Sequence, residues 1–278
     1  KIPLAFLNYP DGSSLWGFNM YRFDTQTNER SSWGQVPQNQ SVVNLAFMGD
    51  LQFEKPLPKS KIPWAFIPFV AGINANDFEN NDQFSSLSFG GDIKVPINNG
   101  LNLDLTFNPD FSQVEVDDQV INLTRFEVRL PEKRQFFIQN SDLFANFGSS
   151  YNSQPFFSRR IGVAEDKNGN TIQNRIITGA RLSGKVNPNL RVGFLNMLTE
   201  ADETNEIASN NNTVLTLQQK VFSRSNISMI FVNRQTVGSY DFIAEDERYN
   251  RVAGVDYQLA SKDNRWTGRT WLHQSFEK

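Results

Sequence analysis

The chain has 278 residues, a formal net charge of −3 and no cysteine. A near-neutral charge excludes a field strong enough to draw nucleic acid or an anionic membrane surface, and the missing thiols exclude disulfides, cysteine metal sites and a thiol nucleophile, as fits an oxidising compartment. Aromatic residues make up 13%, led by 24 Phe, yet mean hydropathy is −0.47; that balance suits a β-structure with one apolar and one polar face, whether barrel or sandwich.

Residues 1–35 open with KIPLAFL and WGFNMYRF, which read as two short strands around Asp11-Gly12-Ser13. They are expected to be the last strands of a preceding β-sandwich, with the division at residue 35. From Leu87 the pattern becomes regular. Leu87, Phe89, Ile93, Val95 and Ile97 alternate with polar or small residues, Asn98-Asn99-Gly100 interrupts, and Leu101, Leu103, Leu105 and Phe107 resume the alternation. Asn-Gly tolerates positive φ at both turn positions, so this is a β-hairpin.

Residues 108–165 break the rhythm and are expected to form a plug, ledge or loop excursion. Alternation then returns in three hairpins: Ile176–Val186 with Leu190–Thr199, Thr213–Phe222 with Ile227–Arg234, and Arg251–Leu259 with Trp266–Ser275. Their internal turns are short, while the connections Glu200–Asn212 and Gln235–Asn250 are long and polar. Short turns at one end and long loops at the other is the asymmetry of an up-and-down outer-membrane barrel. No run reaches the roughly 20 apolar residues of a spanning helix, whereas a barrel strand needs only about 9–11. Lys1–Leu7 lacks the apolar core of a signal peptide, so the chain reads as a mature or internal segment. An open sheet edge is untenable in lipid, which leads to the expectation of a longer native chain.

Four ordered motifs carry a resemblance: Asn108–Glu115 (NPDFSQVE), Asn122–Glu127 (NLTRFE), Pro131–Phe137 (PEKRQFF) and Phe157–Gly162 (FSRRIG). Together they resemble the domain of unknown function 5916 family of Bacteroidota. The resemblance implies that residues 1–35 are the end of a domain similar to family-nine carbohydrate-binding modules, followed by the first part of an outer-membrane barrel over 36–278. Gln139-Asn140 departs from the family, where an acidic residue followed by Gly is common, and the family barrel runs on past the length seen here. The resemblance implies location and architecture and supplies no activity.

Candidate chemistry is sparse. Glu115 and Asp117 share a face in an extended strand, and a glycosidase needs two such carboxylates, but nothing in the sequence raises the pKa of one of them. Arg125, Arg134, Arg159 and Arg160 are expected to pair with Glu115, Asp117 and Glu132, because the planar guanidinium bridges carboxylates bidentately; the expected role of these seven residues is to bind a ligand or to anchor the plug to the wall. The loop Glu165–Asn170 lacks the Gly and Glu positions of a calcium loop and reads as a turn. The single His273 excludes a histidine-rich metal site and gives little support to a Ser-His-Asp triad. Trp266, Trp271, Tyr257, Phe222 and Phe231 read as interfacial aromatics.

The expectation is therefore an all-β protein: a partial antiparallel transmembrane β-barrel preceded by the end of a β-sandwich. It would sit in a Gram-negative outer membrane with its N-terminal segment periplasmic, and would be non-enzymatic, serving transport, anchoring or an envelope complex. Expected partners are outer-membrane lipid, other envelope proteins and glycan through the N-terminal domain, with no nucleic acid, cofactor or metal. The alternatives are a soluble or surface-attached glycan-binding β-sandwich and a carbohydrate-active hydrolase.

Overall fold

The computed structural model describes residues 4, 7, 9, 11–36, 48–58, 64–77, 82–109, 132–149, 153–169, 171–263 and 265–276. The chain divides into two compact units, residues 1–62 and 63–278.

In the first unit, β1 (Leu15–Phe18) pairs with β4 (Gly49–Gln52), and β2 (Tyr21–Asp24) pairs with β3 (Glu29–Ser32), both antiparallel. The expected pairing around Asp11-Gly12-Ser13 is corrected. WGFNMYRF is split between β1 and β2, most of KIPLAFL lies outside the described residues, and β1 finds its partner beyond residue 35. The unit therefore extends to residue 62. Asp24 closes the β2–β3 turn by accepting from the Gln26 and Thr27 amides at 2.9 and 3.3 Å, the local bonding that suits aspartate to turns.

The second unit is built on one nine-stranded antiparallel sheet. Its strands are β5 (Ala65–Asp77), β6 (Asp82–Pro96), β7 (Leu101–Phe107), β10 (Ile176–Asn187), β11 (Leu190–Thr199), β12 (Asn210–Val221), β13 (Ser225–Thr236), β14 (Tyr249–Ala260) and β15 (Thr267–Phe276). They lie side by side in chain order, with β5 and β15 at the two edges. Four hairpins of this meander coincide with those read from the alternation. Asn98 and Asn187 close two of the turns, each accepting from two backbone amides at 2.8–3.0 Å. β5 had no sequence signal. Pro68 and Gly72 break its pattern, and proline, which has no N–H to donate, is tolerated at such an edge.

Between β7 and β10 the chain leaves the sheet. The described part of this insertion contains two single-turn helices, α1 (Gln135–Ile138) and α2 (Asp142–Ala145), and a small hairpin of β8 (Val163–Glu165) and β9 (Thr171–Gln173). The loop Asp166–Gly169 turns that hairpin, with Gly169 at φ +80°.

The insertion lies on one face of the sheet. Phe137, Leu143, Phe144, Phe147, Phe156 and Ile161 form a buried cluster with Ile176, Leu195, Met197, Val214 and Ile230. Register fixes which sheet residues share that face: Asn102, Asp104 and Thr106 of β7; Arg181 and Ser183 of β10; Gly193 and Leu195 of β11; Val214 and Thr216 of β12; Asp256 of β14; His273 of β15. Trp271 stands opposite Asp256 and so belongs to the covered face, which corrects its expected interfacial position. The opposite phase carries Phe66, Val70, Leu87, Phe89, Phe107, Leu215, Leu217, Met229, Phe231, Val255 and Leu272, all exposed.

At Gly193 the insertion packs tightly on the sheet. A Cβ there would stand 2.4 Å from Thr216 Oγ1 and 2.8 Å from the Phe144 ring. Gly193→Ala is expected to destabilise the second unit by about 2 kcal/mol, the middle of the overpacking range, read as a lower denaturation midpoint in detergent.

Candidate functional site

Among the described residues, the face between insertion and sheet gathers a dense set of polar contacts, built in two layers. The first lies within the insertion. Glu132 accepts from the Arg134 backbone amide, Nε and Nη2 at 2.9, 2.8 and 2.7 Å and from the Ser158 hydroxyl at 2.6 Å. Arg134 also donates to the carbonyls of Ser158 and Ile161 and lies over the Phe137 ring, 4.3 Å from its centre. Burial pushes the Glu132 carboxyl up, but the hydrogen bonds and charge of Arg134, helped by Ser158, outweigh it and hold the group below its ordinary value of 4.5.

The expected pairing of Glu132 with Arg134 is thus present. It staples 132–137 to 158–161 inside the insertion. Arg159 and Arg160 stand in the same single 3₁₀ turn as Ser158. Glu115, Asp117 and Arg125 lie outside the described residues.

The second layer joins insertion to sheet; apart from His273 and Asn140, its residues were not singled out by the sequence reading. On β10, Arg181 donates to the Phe136 carbonyl at 2.9 Å and lies 5.2 Å from the centre of the Phe144 ring. Nearby, the Asn140 amide donates to the Ser183 hydroxyl at 3.2 Å. On β11, Arg191 grips Asp142 with both terminal nitrogens, at 2.6 and 3.1 Å. On β14, Asp256 accepts from the Gly148 amide at 2.8 Å, from Arg269 at 2.9 and 3.2 Å, and from His273 Nε2 at 2.7 Å. Arg269 in turn donates to the Asn146 carbonyl at 2.7 Å.

Ser153, His273 and Asp256 therefore occur in the order of a nucleophile relay, with Ser153 Oγ 3.4 Å from His273 Nδ1. The same groups brace the insertion against β14 and β15: the Ser153 amide donates to the Ser149 carbonyl at 3.1 Å, and Asp256 is paired with Arg269 as well as with His273. Gly148 is required by the same brace: at φ +61°, its Cβ would meet the Ser153 carbonyl at 1.7 Å.

With this geometry in place the chain can be compared with known proteins. The family model for a domain of unknown function, DUF5916, matches residues 62–275. The chain belongs to this family. The matched span begins where the second unit begins, so the DUF5916 region here is the nine-stranded sheet with its insertion. No curated protein and no solved structure matches the chain. Among the described residues, no group of three or more His, Cys, Asp and Glu is placed to hold a metal ion.

Removing Asp256 leaves Arg269 and His273 facing each other without their shared acceptor. Asp256→Ala in this DUF5916 chain is expected to cost about 3 kcal/mol, as for a broken buried pair, and to speed proteolytic cutting within 141–153. Glu132 sets a pH dependence. Its folded pKa is depressed, so its contribution is complete above about 4.5 and is lost as pH falls through the lower folded value. Protease protection of the insertion is expected to fall over that acidic range in the wild type, and Glu132→Gln should flatten the response.

Proposed function

We propose that the second unit is part of the wall of an outer-membrane β-barrel, with the insertion docked on its inner face as a plug. Its role would be passage or anchoring and not catalysis. The observation that carries this reading is the contrast between the two faces: buried charged groups lie on the covered one, and the other is an uncovered run of large apolar side chains. The buried face holds Arg181, Asp104, Ser183, Thr216 and Asp256, whereas Leu215, Leu217, Met229, Phe231, Val255 and Leu272 are exposed. A sheet in water buries its apolar face; a sheet that lines a membrane pore turns that face to lipid.

The ends of the sheet support the same reading. Trp64, Phe222 and Trp266, exposed at 75, 85 and 74%, all stand at the short-turn end, as interfacial aromatics do. A glycan-binding sandwich would cover the open apolar face with a second sheet, and here the insertion covers the other face, which carries the buried charged groups together with Leu195, Met197, Val214 and Ile230. In a barrel of this kind the short turns face the periplasm.

The test is fractionation of the native protein followed by electrophoresis with and without boiling. Recovery from the outer membrane in detergent, with a boiling-dependent mobility shift, is expected; a detergent-free soluble monomer without a shift would overturn the reading. Leu215→Arg places a charge on the open face and should cost about 2–4 kcal/mol if that position lies near mid-membrane, measured as reduced folding into lipid vesicles.

A further inference from the structure

One patch of the covered face has polar atoms that the insertion leaves unsatisfied. Both carboxylate oxygens of Asp104, the Thr106 hydroxyl, one carboxylate oxygen of Asp92 and Nη2 of Arg181 are buried without a hydrogen-bond partner. Asp104, Thr106 and Arg181 are exposed at only 4, 2 and 1%. They are contiguous in register: Asp92 opposes Thr106, Lys94 opposes Asp104, and Asp104 opposes Arg181.

The spacing within the patch is distinctive. Arg181 Nη1 stands 4.0 Å from Asp104, while the two-nitrogen grip of Arg191 on Asp142 closes to 2.6 Å. A gap of 4.0 Å is too long for a hydrogen bond and suits a bridging water. A buried carboxylate with neither oxygen bonded is untenable in a dry site, and water needs two to four polar partners of the kind grouped here. The patch also grades from half-buried Asp92 and Lys94 on β6 to fully buried Arg181 on β10. That gradient gives it a mouth.

We propose that this patch lines a hydrated crevice beside the docked insertion, one that admits water and small polar solutes of either charge. Neither sign is favoured because two carboxylates, Asp92 and Asp104, are matched by two cations, Lys94 and Arg181. If the second unit is a barrel wall, as proposed above, the crevice is a permeation lane along its inner face, past the plug.

The chain has no cysteine, so a single introduced thiol reports on one position. Thr106→Cys in the native full-length protein, reconstituted in lipid vesicles, would be treated with cationic aminoethyl and anionic sulfonatoethyl methanethiosulfonates and with a bulky polyethylene-glycol maleimide. Both small reagents are expected to react, at rates within about threefold of each other because balanced charge focuses neither sign. The bulky reagent should react only after denaturation. Adding Asp104→Asn leaves a surplus positive charge and should tilt the ratio about tenfold toward the anionic reagent.

Labelling only after denaturation would show a dry interface and overturn the crevice. A native rate ratio above about tenfold for either sign would overturn its indifference to charge. If Thr106→Cys loses the boiling-dependent shift, Asp92→Cys at the mouth replaces it; with one carboxylate gone the ratio should tilt about tenfold toward the anionic reagent, and labelling only after denaturation again overturns the crevice. Leu217→Cys on the open face separates the two proposals. Labelling there in vesicles counts against the lipid-facing wall, while the crevice stands or falls on the inner thiol.

Discussion

The second unit depends on a mutual need between a sheet face and a loop. The nine strands satisfy one another's backbone groups, but the covered face still presents arginine, aspartate and histidine side chains that must find partners once buried. The insertion has the complementary problem. Its described part is mostly irregular, and its single-turn helices are too short to satisfy their own ends. Carbonyls at Phe136 and Asn146 and the amide at Gly148 are given to Arg181, Arg269 and Asp256. Each side supplies what the other lacks, and neither would be stable buried alone.

The apolar and polar parts of this contact do different work. Fully burying a large apolar side chain contributes about 1.5–3 kcal/mol, so Phe137, Leu143, Phe144, Phe147, Phe156 and Ile161 provide the adhesion. Charged pairs return little net stability, because desolvation offsets attraction. Their value is positional. Arg191 on Asp142 fixes α2 against β11, and Asp256 ties the 146–148 turn to the β14–β15 pair. Arginine suits these positions where lysine would not, since its planar fork reaches a carbonyl and a carboxylate together.

The hairpins were legible because alternation and turn chemistry agree in the same short stretch, as at Ile93–Gly100 with its Asn98 turn. β5 was hidden by Pro68 and Gly72, and the β1–β4 pairing by the distance between its partners along the chain. The direction of the faces was hidden for a deeper reason. A period of two is symmetric, so Leu217 outward and Leu217 inward read alike until something covers one side. One clue was available and went unused: Arg269, Trp271 and His273 share a phase in β15, and two members of that phase are polar. That placed Trp271 with them and away from Leu272. The clamp residues Arg181, Arg191 and Asp256 looked like ordinary members of the polar phase, and their partners lie 45, 49 and 108 positions away in the chain.

The height of the open face bears on what it meets. At the long-loop end the apolar phase gives way to a ladder of amides: Asn196 donates to Asn211 and Thr213 at 2.9 and 2.8 Å, and Arg251 donates to Asn233 at 3.0 Å. These polar groups bond in neighbouring pairs, β11 with β12 and β13 with β14. At the short-turn end the limit is set by Trp64, Phe222 and Trp266. From Thr213 to Phe222 the chain covers about 30 Å at ~3.4 Å per residue, and a strand tilt of about 35–45° reduces that to roughly 21–25 Å along the membrane normal. The apolar belt of an outer-membrane barrel is about 25 Å tall. Along β11 to β14 the open apolar stretch is thus bounded by hydrogen-bonded polar groups at one end and exposed aromatic rings at the other. The proposed bilayer would give both limits a physical cause, because polar groups and aromatic rings suit its two interfaces.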